Sequence, residues 1–542
     1  MFNDQVGNTA ALTSLKIDAD VAAGAGVGNT IFNKASTTVA PSVQTSGLQD
    51  YNDAVTLGAD TVLASTTAGN VTFERTVNGA FALEANTTAN EVFNDLVGNT
   101  AALTSLKTDV DAGNRGGQAI FNVVGTTVVP SVKTTGVQTY FDNVLLGANS
   151  VFTSTGPAGD ITYNGRIDGA ANNAQSLAVN AGGGAAFVGA VGLGADGLPA
   201  TFDDRAPTTM TVTAGKAITQ VAAFSVVGLG DYTSTGAGAA GNITLANANN
   251  NFGSLRLITL MGAQVTVAEA SATSLDDVSI GGPAVAANFN LTSGGDIAQA
   301  NATRTLQVGG ASSFTAPGGS SILLDNTAAA PSVNLNFGLN PAGTGTTPFN
   351  QTPLNSFAGS VSFNASGPGK LVDVKISDLS GFEIQPLSLA GTLRVVSGGD
   401  VKLSGGPLKV AHLNLVSTSQ GGGIPIVILD PDSEIANSFT DYINPTPGNK
   451  LGLATRYLIY DSSSGSIYSE TGILKVGELL QRILAQTLPR FVLQVKMPEF
   501  TSLEVGEIKK LRGVLTRSSQ VFATGGLVTR SGQVGQGDKE KK

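Results

Sequence analysis

Residues 2–16, FNDQVGNTAALTSLK, return at 93–107 as FNDLVGNTAALTSLK, with Gln5 against Leu96 as the one difference. The offset is 91 residues, and a third, degraded copy opens at Phe187 (FVGAVG), a further 94 residues on. Self-similarity at a fixed long period is the signature of a stacked-repeat architecture, in which each unit buries its apolar face against its neighbours. A chain of 542 residues built that way need not split into several globular cores, because its core grows lengthwise.

The match between the first two blocks continues beyond the opening. TVAPSV at 38–43 pairs with TVVPSV at 127–132, GLQDY at 47–51 with GVQTY at 136–140, AVTLGADTVL at 54–63 with NVLLGANSVF at 143–152, and GNVTF at 69–73 with GDITY at 159–163. The offsets drift among 89, 90 and 91, which places the insertions in turns between pieces of constant length. The pieces are short β-branched runs separated by Gly-Ala, Gly-Asn, Gly-Asp or Asn-Gly pairs, and such runs read as strands joined by tight turns. No segment before residue 470 carries a helical stripe. Strands without crossover helices leave antiparallel sandwiches or a parallel β-helix; the long period with variable turns selects the β-helix. Each coil of about 20 residues then stacks about 4.8 Å on the last, like side chains align in ladders, and Gly at the corners supplies positive φ.

Composition agrees. Charged residues make up 13% and hydrophobic ones 41%, so disorder driven by charge is excluded. The apolar residues are small and β-branched, suited to a narrow interior between closely spaced sheets. There is no Cys, hence no disulfide framework. The start lacks the basic and apolar regions of a secretory signal, and no run of about 18 apolar residues spans a bilayer. An exported chain of this kind has lost a leader or is a section of a longer product. Residues 451–542 hold 13 Lys and Arg against 8 acids, and 1–450 hold 17 against 32. An acidic body disfavours nucleic acid as a partner.

From about 208 the period changes. TAGKAITQ at 213–220 returns as TSGGDIAQ at 292–299, and SGGDVKL at 397–403 echoes it. GNITLANANNNF at 241–252 and APGGSSILLD at 316–325 read as further coils, and the Pro-rich stretch 340–353 as an inserted loop. Phrases such as GVQTYFDNVLLGANSVFTST, GNITLANANNNFGSL, TSGGDIAQ and TRYLIYD (455–461) resemble bacterial filamentous-haemagglutinin-like surface proteins with β-strand repeats, over roughly residues 2–461. That resemblance implies a secreted, right-handed parallel β-helix belonging to a large adhesin.

After about 430 the character shifts. Four of the eight Tyr lie between 442 and 468, and the stretch 476–488 puts Val476, Leu479, Leu480, Ile483, Leu484 and Leu488 on one helical face ahead of Pro489. The expected architecture is all-β: a right-handed parallel β-helix (solenoid) with a small C-terminal α+β cap or assembly module. The expected segments are 1–207 with the 91-residue repeat, 208–430 with degenerate repeats, 431–531 as cap or assembly module and 532–542 as a tail. The six apolar residues at 476–488 are the candidate surface for capping or self-assembly, since a bare terminal coil invites edge-to-edge polymerisation.

Motifs for chemistry are weak. GAGAAG at 236–241 fits G-x-G-x-x-G, but a strand-like NITL follows where a dinucleotide site needs a helix. Asp203-Asp204, Asp276-Asp277 and Asp430-Pro431-Asp432 are acid pairs, yet neighbours on a strand face opposite ways, and turn chemistry or solubility explains them better. His412 stands alone, which rules out a His-activated Cys and a His-rich zinc site, and no Ca²⁺-binding nonapeptide recurs. No catalytic, cofactor-binding or metal site and no convergent acid cluster is legible. The expected function is non-enzymatic: a structural or adhesive extracellular or cell-surface stalk or filament subunit that partners with itself or with a host or neighbouring cell surface. The alternative is a β-helical carbohydrate-active enzyme, a polysaccharide lyase or hydrolase.

Overall fold

Short runs such as Val71-Thr72-Phe73 and Ala54–Leu57 do form strands, because alternation sends every second β-branched, aliphatic or aromatic side chain inward while Thr or Ala faces out. A computed structural model describes residues 1–18, 28–109, 116–197, 203–260, 262–281, 286–329, 351–399, 401–403 and 406–417, with the later strands Ile426–Leu429, Glu434–Asp441, Arg456–Asp461 and Ser466–Tyr468. It divides into two units, Met1–Thr292 and Ser293–Lys542. Both are parallel β-solenoids, with no α-helix among the described residues.

In the first unit the chain winds round three faces. Asn29–Phe32, Ala54–Leu57 and Val77–Asn78 stack in parallel on one face, and Val43–Thr45, Thr61–Ser65, Ala82–Asn86 and Ser105–Thr108 on a second. Leu15–Ile17, Gln49–Tyr51, Val71–Phe73, Glu91–Phe93 and Gln118–Phe121 form the third. Register is held residue for residue, as in Gln49↔Val71↔Glu91↔Ala119. Inward side chains therefore form columns. Tyr51, Phe73, Phe93 and Phe121 stack with ring centroids 5.5, 5.2 and 5.0 Å apart, close to the spacing of neighbouring strands.

Following the chain from Phe2 to Glu91–Phe93 passes eleven sides, which is not a multiple of three. Each 91-residue repeat thus advances by a fractional coil, and equivalent strands land on different faces. Gln49–Tyr51 lies on the third face, whereas its equivalent Gln138–Tyr140 pairs with Ser105–Thr108 on the second. The aromatic column moves with it: Tyr140, Tyr163 and Phe187 stack at 5.0 and 5.3 Å on that second face. Phe187, the opening of the degraded third copy, keeps its aromatic place. The opening motif itself occurs in two environments, since Phe93, Val97, Leu103 and Leu106 are fully buried while Phe2, Val6 and Leu15 are half-exposed and Leu12 is exposed. In both copies the Val-Gly glycine, Gly7 and Gly98, takes φ of 75° and 76° and lies against a backbone carbonyl that a Cβ would strike.

In the second unit Ser312–Pro317 pairs with Val361–Ser366, and Val374–Asp378, Thr392–Ser397 and Leu408–Ser417 stack in parallel. The stacking continues past residue 430: Glu434–Asp441 lies on Leu408–Ser417 and Arg456–Asp461 on Ile426–Leu429. Thr327–Ala329 and Gln351–Pro353 pair antiparallel, and most of the stretch read as an inserted loop lies outside the described residues. The helix face of Val476, Leu479, Leu480, Ile483, Leu484 and Leu488 lies outside the described residues.

Candidate functional site

Three carboxylates meet inside the first unit. Glu91 opens the strand Glu91–Phe93 and points inward two residues before Phe93. Asp109 follows Ser105–Thr108 in a left-handed corner (φ 61°), where its amide donates to Ala85 O at 2.8 Å and its Oδ1 accepts from the Thr87 amide at 3.0 Å. Asp142 sits in the corner between Gln138–Tyr140 and Asn143–Leu146. One oxygen from each falls within 4.8 Å of the others, and all three side chains are 0% exposed.

This convergence corrects the expectation that the acids form no cluster. Its members are none of the Asp pairs. Burial pushes the Glu91 carboxyl well above the carboxylate range, reinforced by a hydrogen bond with Asp142 and by repulsion from Asp142 and Asp109. That bond joins two acceptors and exists only with a proton between them; the one amide that acts on the Glu91 carboxyl is its own, and no N–H of another residue pairs with either oxygen. The arrangement can hold a shared proton or a hard cation. It cannot meet a polysaccharide, because no part of it is at the surface.

The sequence carried half of this signal. Leu-Lys-x-Asp recurs at 15–18 and 106–109, and Tyr-x-Asp at 51–53 and 140–142. Glu91 has no counterpart in the first block, and its meeting with the two Asp depends on the winding.

The other expected residues fall elsewhere. Asp203 Oδ2 accepts from the Ala195 and Asp196 amides at 2.8 and 3.3 Å, a turn as expected. Asp276-Asp277 marks a β-bulge rather than a turn: Leu255↔Leu275 is followed by Leu257↔Val278, and the Asp277 amide donates to Asp276 Oδ1 at 2.8 Å. His412 is half-buried on Leu408–Ser417 opposite Thr392. Gly238–Gly241 forms a 3₁₀ turn before the strand Ile243–Leu245, which lacks the helix a pyrophosphate needs. Asp430 and Asp432 lie outside the described residues.

At the surface, Gln118, Leu145, Arg166, Asp168, Asp203 and Arg205 line a depression of about 400 Å³. Arg166 Nε is 2.6 Å from Asp168 Oδ2, and Arg205 Nη1 donates to Ala170 O at 2.6 Å, so both guanidiniums serve the scaffold. Burial raises the Asp168 carboxyl even though Arg166 opposes it.

A second recurring arrangement is polar and internal. Asn250 Nδ2 donates to Gln220 Oε1, Leu245 O and Ala268 O, each at 3.0 Å, and its Oδ1 accepts from the Phe224 amide at 2.8 Å. In the second unit Asn355 repeats this with Gln299, Leu324 O at 2.7 Å and the Leu306 amide at 2.9 Å. A buried acid follows each: Glu269 accepts from the Phe252 amide, Asp378 from the Phe357 amide.

Residues 188–259 and 262–364 match a family described as repeats of unknown function (DUF5649). Each matched stretch holds one of these amide pairs, Gln220 with Asn250 and Gln299 with Asn355. No curated protein and no solved structure matches the chain.

Proposed function

We propose that the protein is a non-enzymatic structural or adhesive component of a bacterial cell surface or extracellular fibre, in which the solenoid units serve as a stiff stalk that presents its outer faces to itself or to another cell. The observation that carries this reading is the register-locked column of Tyr51, Phe73, Phe93 and Phe121 within parallel coils. A ladder of that kind resists bending, since each ring is held between the rings of adjacent coils. The resemblance of the repeat phrases to filamentous-haemagglutinin-like proteins points the same way. The convergent acids are inside, and the cations of the surface depression are engaged with the scaffold, which favours this reading over a polysaccharide lyase or hydrolase.

Electron microscopy of the purified full chain, paired with a panel of bacterial and host polysaccharides, tests it. Slender rods or filaments with no release of oligosaccharide are expected. Turnover of any of these polymers that Asp168→Asn abolishes would establish the carbohydrate-active alternative instead.

A further inference from the structure

We infer that Glu91, Asp109 and Asp142 form a binding site for one hard divalent cation of the calcium type, buried where the first 91-residue repeat hands over to the second. Three oxygens lie within 4.8 Å of one another, a spacing that one ion spans when each ligand is about 2.3–2.6 Å from it.

The independent pointer is how the fold treats the same position elsewhere. Gln49 occupies the Glu91 column two strands away, and Gln138 is its repeat equivalent. Gln49 Nε2 donates to Ala64 O at 2.8 Å and its Oε1 accepts from Tyr51 at 2.8 Å; Gln138 donates to Thr153 O and accepts from Tyr140, both at 2.9 Å. In each case the donor is the hydroxyl of a Tyr two residues on. At Glu91 that residue is Phe93, which has none, and at 0% exposure no tyrosine hydroxyl or amide of another residue pairs with either Glu91 oxygen. A buried carboxylate stripped of its donor is costly unless something else supplies positive charge. Thr108, the residue before Asp109, is also fully buried with an unpaired Oγ1.

The donor set selects the ion. All ligands are oxygens, with neither the His nor the Cys that zinc favours. Magnesium keeps several of its waters, for which a site with no exposed surface is poorly suited, whereas calcium accepts an all-protein oxygen shell. The first block supplies a control: Asp18 and Asp53 are the equivalents of Asp109 and Asp142, but no glutamate accompanies them. A cation here would tie three neighbouring coils across the repeat junction.

The test begins with elemental analysis of the purified full chain, followed by dialysis against a chelator and titration with Ca²⁺ by calorimetry and with Tb³⁺ by luminescence. About one equivalent of tightly held ion is expected, and its removal lowers the melting temperature. Glu91→Gln, shown to be folded by circular dichroism, loses on the order of 10–100-fold in affinity, as does Asp142→Asn, whereas Asp53→Asn does not. If Glu91→Gln fails to fold, the wild-type metal content and Asp142→Asn decide the matter. A wild-type protein that carries no calcium and takes none up saturably assigns the cluster a shared proton alone and overturns the inference, as does undiminished binding by a folded Glu91→Gln.

Discussion

Tyr51 donates its hydroxyl to Gln49 Oε1 at 2.8 Å, and 89 residues later Tyr140 does the same for Gln138 at 2.9 Å. Two residues apart on a strand, the partners face the same way, so the bond closes inside the core without help from another coil. Burial raises both phenols well above their usual range, which keeps them protonated and donating across the physiological range.

Tyr51→Phe is therefore not a neutral trim. It leaves Gln49 Oε1 without its tyrosine donor in a fully buried position, and a loss of about 1–3 kcal/mol is expected. Urea unfolding of the variant measures it; an unchanged midpoint would mean that water or another donor takes over.

The twin opening motifs offer a matched pair. Phe93→Ala removes a ring stacked between Phe73 and Phe121, and a cost of about 3–5 kcal/mol is expected. Phe2→Ala removes the same residue from nearly the same local sequence, but Phe2 is half-exposed and stacks on Phe32 alone, so less than half that cost is expected. Equal midpoints for the two variants would contradict the burial difference.

Asn250 makes five hydrogen bonds to four residues through one amide. Asn250→Ala leaves Gln220 and the Phe224 amide unsatisfied inside the coil, a loss of about 3 kcal/mol or more that Asn250→Gln does not restore, because the longer side chain overfills the site. Thermal melts of both variants beside wild type give the comparison.

Burial raises the Glu269 carboxyl to about 7, although the Phe252 amide and the Thr273 and Ser271 hydroxyls pull it down. The folded state thus retains a proton that the unfolded chain gives up near 4.5. This contribution is fully present below pH 4.5 and is lost as pH rises to about 7, a fall on the order of 3 kcal/mol. Stability measured from pH 4.5 to 7.5 should decline in wild type and decline less in Glu269→Gln. Parallel pH profiles would refute the assignment.

The sequence by itself determined the strand-and-turn repeat and the parallel stacking, because these follow from period-two alternation and from a 91-residue match that only stacked units explain. It also showed that the glycines of Val-Gly and the acids of Leu-Lys-x-Asp recur. What it could not display was phase. Eleven sides to a repeat on a three-faced coil carry Gln138 to a different face from Gln49, and corner lengths decide which residues become neighbours across coils. Glu91, Asp109 and Asp142 are 18 and 33 residues apart along the chain and meet only after that winding. Local periodicity fixes which way a side chain points; the closure of the coils alone decides what it points at.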